Sequence, residues 1–378
     1  MRDKLNKMTY DYLIVGSGFF GSTFAQQATE KGYNCLIIDK RNHNAGNAYT
    51  EEIEGINVHK YGPHIFHTSD EKIWSYVNRF TKFNNFVNRP KVNYKGDIYS
   101  FPINLFTLYQ LFGVKTPGEA ADLLEKIKID PPVRGNQMNL EEWILSQVGE
   151  EIYSKFIYGY TKKQWGREPR ELPSSIIRRL PIRMTFDDNY FTDSYQGIPI
   201  GGYTKMIEKM QEGIEVRLGV DYFENKDFFD QSAKTVVFTG AIDEFFNYQH
   251  GPLEYRSLRF ETEIIDVPDY QGNAVVNYTE EEIPYTRICE HKHFEFTKSK
   301  STVITREYPD SWNPSKERYY PVNDTENNSR YSKYQKMALD IHPKYIFGGR
   351  LAEYKYYDMH QVIGSALHAV KKEIRPIE

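Results

Sequence analysis

Tyr12-Leu13-Ile14-Val15-Gly16-Ser17-Gly18-Phe19-Phe20-Gly21, completed by Cys35-Leu36-Ile37-Ile38-Asp39, is the stretch on which the reading of the fold turns. An apolar run enters a glycine turn, a helical pattern follows, and a second apolar run closes on an acid. That order predicts a βαβ unit holding a dinucleotide. Gly16 allows the tight turn off the first strand, with Ser17 beside it. Gly18 lets the backbone approach a pyrophosphate, and Gly21 lets the helix pack closely. The helix N-terminus presents free N–H groups and the positive end of its dipole to the phosphates. Asp39 stands where a carboxylate accepts hydrogen bonds from a ribose.

Outward from this unit, the chain has 378 residues, enough for two or three domains. With 39% hydrophobic and 26% charged residues it is globular, not disordered. A net charge of -4 gives no reason to expect nucleic acid as a partner. No apolar run approaches membrane-spanning length, the polar N-terminus does not read as a signal peptide, and the two cysteines, Cys35 and Cys289, suit a reducing compartment. The expected location is cytoplasmic. The 30 tyrosines suit a site that stacks rings and hydrogen-bonds phosphates.

The loop Lys40 to Tyr49, with Asn47, should lie beside the cofactor. Gly62-Pro63 breaks the chain ahead of His64 and His67. Their spacing could serve a helical metal pair, but no cysteine or third histidine stands near, and no metal is expected. Phe86–Pro90 and Val92–Tyr94 read as strands, with a hairpin turn at Gly96-Asp97 leading into Ile98. Helices are expected over Leu105–Phe112, from Thr116 as N-cap with Pro117 first, and from Asn139, with Gly149 as punctuation. Val216–Gly219 and Val236–Gly240 read as strands, the second returning to the nucleotide-binding sheet. Leu258–Ile265, 274–278, 285–288 and 301–306 predict an antiparallel sheet. The fold class is α/β: a Rossmann-like dinucleotide domain, a helical insertion and an antiparallel sheet domain. Its pieces are 1–77, 200–245 and 340–378 for the first, 78–180 for the second, and 181–199 with 246–339 for a lid remainder and the sheet.

Arg179, Arg287 and Arg350 are placed where an anion could sit, and Tyr160, Tyr190, Tyr319, Tyr320 and Tyr356 could hydrogen-bond the same oxygens. There is no GxSxG, HExxH, CxxC or P-loop lysine, and no carboxylate pair stands out as acid and base. The chemistry is therefore expected of the cofactor.

Four further segments make the chain resemble the bacterial UDP-galactopyranose mutases over nearly its whole length. They are Tyr61-Gly62-Pro63-His64-Ile65-Phe66-His67-Thr68, Gly159-Tyr160-Thr161-Lys162-Lys163-Gln164-Trp165-Gly166, Arg179-Leu180-Pro181 with Asp187–Phe191, and Gly348–Tyr354 with Tyr356–Met359. The resemblance implies FAD, active when reduced, on Gly16, Gly18, Gly21 and Asp39. It also implies a C-terminal flavin motif holding Gly349, Arg350, Tyr356, Asp358 and Met359. It implies uridine contacts from Phe156, Tyr160, Thr161, Trp165 and Asn277, and a diphosphate clamp of Arg179 and Arg287. Tyr190, Tyr320 and Tyr356 would add hydroxyls, and His64, His67 and Asn88 would lie near flavin and sugar. The implied reaction is redox-neutral: flavin N5 attacks the anomeric carbon, UDP leaves, the sugar recloses as a furanose, and UDP returns. The implied setting is cell-surface glycan synthesis, by a homodimer supplied with an external electron donor. Two departures stand out: Ala45 replaces a glycine usual in the family, and Arg178 precedes the lid arginine where lysine is expected. The second bears on galactose against N-acetylgalactosamine. The rival readings are a flavin oxidoreductase of the amine oxidase type and a non-catalytic sugar-nucleotide binder.

Overall fold

The computed structural model describes residues 9–132, 138–178 and 180–374. The chain runs through β1 (Tyr10–Val15), α1 (Phe19–Glu30), β2 (Cys35–Asp39), β3 (Thr50–Ile53), β4 (Ile56–His59), β5 (Phe66–Thr68) and α2 (Glu71–Val77). It continues with β6 (Lys91–Tyr94), β7 (Asp97–Ser100), α3 (Leu105–Phe112), α4 (Pro117–Ile127), α5 (Leu140–Ile152) and α6 (Gly159–Trp165). Next come β8 (Tyr195–Gly197), α7 (Gly202–Met210), β9 (Glu215–Leu218), α8 (Lys226–Ser232), β10 (Ala233–Phe238) and α9 (Ile242–Phe245). The last part holds β11 (Tyr255–Ile265), β12 (Val275–Tyr278), β13 (Arg287–Glu290), β14 (Thr302–Ser311), β15 (Tyr320–Pro321), α10 (Thr325–Asp340), β16 (Tyr345–Phe347) and α11 (Met359–Glu373).

A five-stranded parallel sheet has the order β16-β10-β1-β2-β9. Its central strands are apolar without a break because both faces are covered. Alternate residues divide between two cores. Ile14, Ile37 and Val237 face α1, α7 and α11, while Leu13, Leu36, Ile38 and Phe238 face Tyr222, Phe245, Phe246 and Tyr334. Both cysteines are buried and free, and burial pushes the Cys35 thiol up, as suits a core residue.

A second sheet of seven strands has the order β15-β11-β14-β13-β12-β6-β7. It is antiparallel except for β12 against β6. The hairpin β6–β7 thus leaves the otherwise helical segment to extend this sheet, while Val92 and Tyr99 still pack on α3, α4 and α5. The helix starts follow their caps. Asn104, Thr116 and Asn139 each accept backbone N–H bonds from the first turn, and α5 kinks at Gly149, where φ is +73°.

One expectation differs from the structure, and one helix was not expected. Phe86–Pro90 forms no strand: the Asn84 side chain accepts the N–H groups of Phe86 and Ile198, and Pro90 has no N–H to give a ladder. The helix α10 lays Tyr331, Tyr334, Met337 and Ala338, with Ile341 after it, against the core of Phe245 and Phe246, an apolar stripe set in an otherwise polar segment. Only Asn327 and Tyr334 are buried along it, and its start is fixed by Asp324, which accepts from the N–H of Asn327. Among the described residues no helix is long and apolar enough to cross a membrane.

Candidate active site

β1 ends at Gly16, whose φ of +112° makes the turn; a side chain there would strike Thr239 Oγ1. Gly21 faces the turn from inside α1, and a Cβ would stand 2.0 Å from the Gly16 carbonyl oxygen. Gly18 differs from both. It is the N-cap of α1 in an extended conformation, and a Cβ there would meet nothing nearer than Gly46 Cα at 3.9 Å. No side chain caps α1. The open space beside Gly18 therefore faces an unsatisfied, positive helix end, which suits a pyrophosphate. Asp39 is already engaged: Oδ2 accepts from the Ser17 N–H and Oγ–H, and Oδ1 accepts from the Arg41 N–H. Ser17 is fully buried and supports this acid rather than lining the cavity. Ala45 holds φ +71°, a conformation that costs an alanine more than a glycine.

The turn opens into a cavity of about 990 Å³. The cofactor residues expected from the sequence other than Ser17 line it: Gly16, Gly18, Gly21, Asp39, Lys40, Asn47, His64, Gly349, Arg350, Tyr356, Asp358 and Met359. The same cavity is lined by His67, Asn88, Phe156, Tyr160, Thr161, Trp165, Tyr190, Asn277, Arg287 and Tyr320. Arg179 lies outside the described residues. Arg178 is exposed and is not among the residues lining the cavity.

His64 and His67 do not form a pair. His64 lies in the loop ahead of β5 with Nδ1 2.7 Å from the Gly62 carbonyl, and burial pushes its pKa down to about 4. His67, on β5, places Nδ1 2.7 Å from Asp193 and stacks on Phe191. The loop is held from behind: the His64 N–H donates to His59 Nδ1, and the His59 N–H donates to His291 Nδ1. Burial depresses the pKa of both supporting rings, so they stay neutral and keep these acceptors available.

A π-helical turn, Tyr153–Tyr158, leads into α6 and aims Phe156 and Tyr160 at the cavity. The Tyr160 hydroxyl accepts from Arg287 Nη2, and Arg287 Nε lies 3.4 Å from Glu307. Burial works against the Arg287 charge, but the Glu307 carboxylate, with Tyr160, Tyr320 and Cys289, together more than offset it. Arg350 donates to the Tyr319 carbonyl and lies over the Tyr356 ring, which stacks on Tyr320. The segment before β8 is braced within itself by Arg183 on the Asn189 carbonyl and fastened to residues 88–91 by Lys91 on Asp188 and the Tyr190 N–H on the Asn88 carbonyl.

Three side chains escaped the sequence reading. Gln164 lines the cavity from α6 with an Oε1 that has no partner. Glu307 is an acid at an inward position of a β-alternating strand, which was the available signal. Lys163 donates from Nζ to the carbonyls of Tyr278, Ile283 and Tyr285, tying α6 to the connection between β12, which carries Asn277, and β13, which begins at Arg287. Burial lowers its pKa to about 8. Lys163→Met is expected to leave these carbonyls unsatisfied and to cost about 3 kcal/mol. Urea unfolding measures it, and an unchanged midpoint would deny the tie.

The family model described as UDP-galactopyranose mutase matches residues 155–356, and that of an NAD(P)-binding Rossmann-like domain matches 14–80. The chain is 41% identical over 374 residues to a dTDP-fucopyranose mutase of Escherichia coli, covering 96% of this chain and 98% of that one. It is also 41% identical over 363 residues to a probable UDP-galactopyranose mutase of Klebsiella pneumoniae, covering 94% and 92%. Among solved structures, a reduced UDP-galactopyranose mutase superposes with a TM-score of 0.72 at 14% identity, covering 97% of each chain; this likeness concerns the fold.

Proposed function

The chain belongs to the UDP-galactopyranose mutase family, and from that premise we propose that it interconverts UDP-galactopyranose and UDP-galactofuranose with FAD as cofactor. The observation that carries the reading is a single cavity lined at once by the glycine turn and by Phe156, Tyr160, Trp165 and Arg287. The residues present fit FAD. The space beside Gly18 is one that a Cβ would fill, the end of α1 is uncapped, and Lys40, Asn47, Gly349, Arg350, Asp358 and Met359 line the same cavity. Its volume of about 990 Å³ is at the upper end of the ~300–1,000 Å³ typical of ligand sites, as two ligands require. Bound and reduced, the flavin supplies through N5 the nucleophile for the anomeric carbon, so no protein nucleophile is needed.

The chain's own residues then bind and orient. Phe156 and Tyr160 present ring faces to the base, with Thr161, Trp165 and Asn277 around the ribose and its neighbours. Arg287, with Arg179, neutralises the diphosphate and keeps the departing nucleotide in place for its return. Tyr190, Tyr320 and Tyr356 donate hydroxyl bonds to the same oxygens, and Asn88 and His67 flank the sugar. His64, neutral near pH 7, brings no competing charge to the flavin. A homodimer and an external electron donor complete the reading.

The equal identity to a dTDP-fucopyranose mutase favours a second substrate, dTDP-fucose, over UDP-N-acetylgalactosamine. It differs in a thymine methyl, a missing ribose 2′-hydroxyl and a missing sugar 6-hydroxyl. The dithionite-reduced protein, assayed by chromatography, is expected to convert UDP-galactofuranose to UDP-galactopyranose and to do so faster than it turns over dTDP-fucose. Turnover of dTDP-fucose alone would transfer the assignment, and turnover of neither would end it.

A further inference from the structure

Glu307 projects from β14 into the cavity wall and is 1% exposed. Its Oε1 meets Arg287 Nε at 3.4 Å and the Thr286 hydroxyl at 3.5 Å. Its Oε2 lies against Gly62, beside the Phe260 ring of the neighbouring strand. The titratable groups that feel its charge are Arg287 and Cys289 on β13, Tyr160 on α6, and Tyr319 and Tyr320 around the start of β15. The thiol and the three phenols are all shifted upward, so of these five groups only Arg287 is charged at neutral pH. One guanidinium therefore offsets the burial of this carboxylate, and it is the same guanidinium that faces the substrate side of the cavity.

Resting on the diphosphate reading above, we propose that Glu307 takes up a proton when a nucleoside diphosphate sugar binds to Arg287, so that nucleotide affinity is coupled to pH. The ligand's two negative charges divert the field of Arg287 and add their own. A unit negative charge ~6 Å away, at an effective dielectric of ~20, raises a carboxyl's proton affinity about a hundredfold. Burial already holds the Glu307 carboxyl above the usual range before any ligand arrives. The proton comes from solvent, and no covalent bond is made. Glu307 is a positioning residue: it orients Arg287 when charged and releases it when neutral.

The test is calorimetric titration of the oxidised, flavin-loaded protein with UDP-galactose, whose phosphates do not titrate near neutrality, in two buffers of different ionisation enthalpy at about pH 7.5. Uptake of about one proton is expected, with the dissociation constant rising up to about tenfold per pH unit. Glu307→Gln is expected to bind with no uptake and a flat pH dependence. A protonated-carboxyl band gained by the unsubstituted protein in infrared difference spectra gives the same answer if that variant does not fold. Binding without uptake, or equal uptake in Glu307→Gln, overturns the coupling. Absence of any binding overturns the diphosphate reading on which it rests.

Discussion

Gly18→Val is expected to purify as a folded but colourless protein. The extended backbone at this N-cap accepts any residue, and the nearest atom to an added Cβ is Gly46 Cα at 3.9 Å. On the FAD reading, the side chain would occupy the space proposed for the pyrophosphate and separate it from the N–H groups of α1. Losing two such charge-assisted bonds, at about 1.5–3 kcal/mol each, weakens cofactor binding by roughly a hundredfold or more. The control is Gly21→Ala, in which a Cβ 2.0 Å from the Gly16 carbonyl and 2.8 Å from Ile14 Cγ2 forces backbone to move. That variant is expected to lose stability itself, by about 3 kcal/mol. Flavin absorbance and thermal melts separate the two. A yellow Gly18→Val protein with normal occupancy would remove the pyrophosphate from this turn.

Arg287→Ala is expected to lower kcat/KM by about 10³ with the flavin still bound. Its Nη2 donates to Tyr160 on α6 while Nε faces Glu307, so one side chain joins the helix proposed to bind the base to the proposed phosphate position. Removing it also leaves Glu307 buried without its countercharge. Arg287→Lys keeps the charge but not the planar fork, and should recover only part of the loss. Assay of the reduced variants with UDP-galactofuranose decides the matter. A loss of less than about tenfold would mean that the diphosphate lies elsewhere.

The legibility of the chain was uneven, for physical reasons. β1, α1 and β2 were readable because a parallel strand covered on both faces must be apolar throughout, and the turn between them tolerates only glycine at Gly16 and Gly21. The caps Asn104, Thr116 and Asn139 were readable because a helix start needs a side-chain acceptor. By contrast, α10 buries only Asn327 and Tyr334 fully, and its stripe of Tyr331, Tyr334, Met337 and Ala338 is diluted by polar residues, so its signal was weak. Residues 86–90 looked like a strand because extended loops and edge strands share composition, and only the Asn84 side chain shows where the hydrogen bonds go.

At the candidate site, sequence alone determined the chemistry on offer: a dinucleotide turn, a ring-rich helix, and arginines able to hold an anion. Residue type and local spacing are enough for that, because they fix backbone freedom, ring faces and charge. Tertiary structure decided which of these groups meet. Tyr160 and Arg287 are 127 residues apart and touch because α6 is tied to the sheet, by Lys163 and Lys162 to the connection between β12 and β13 and by Arg256 to the Gln164 carbonyl. Asp39 is held by Ser17, His67 by Asp193, and Arg287 by Glu307, partners that lie 22, 126 and 20 residues away in sequence. Burial is a property of the packed chain; with the Arg350 charge it keeps His64 neutral, and it leaves Glu307 dependent on a single cation.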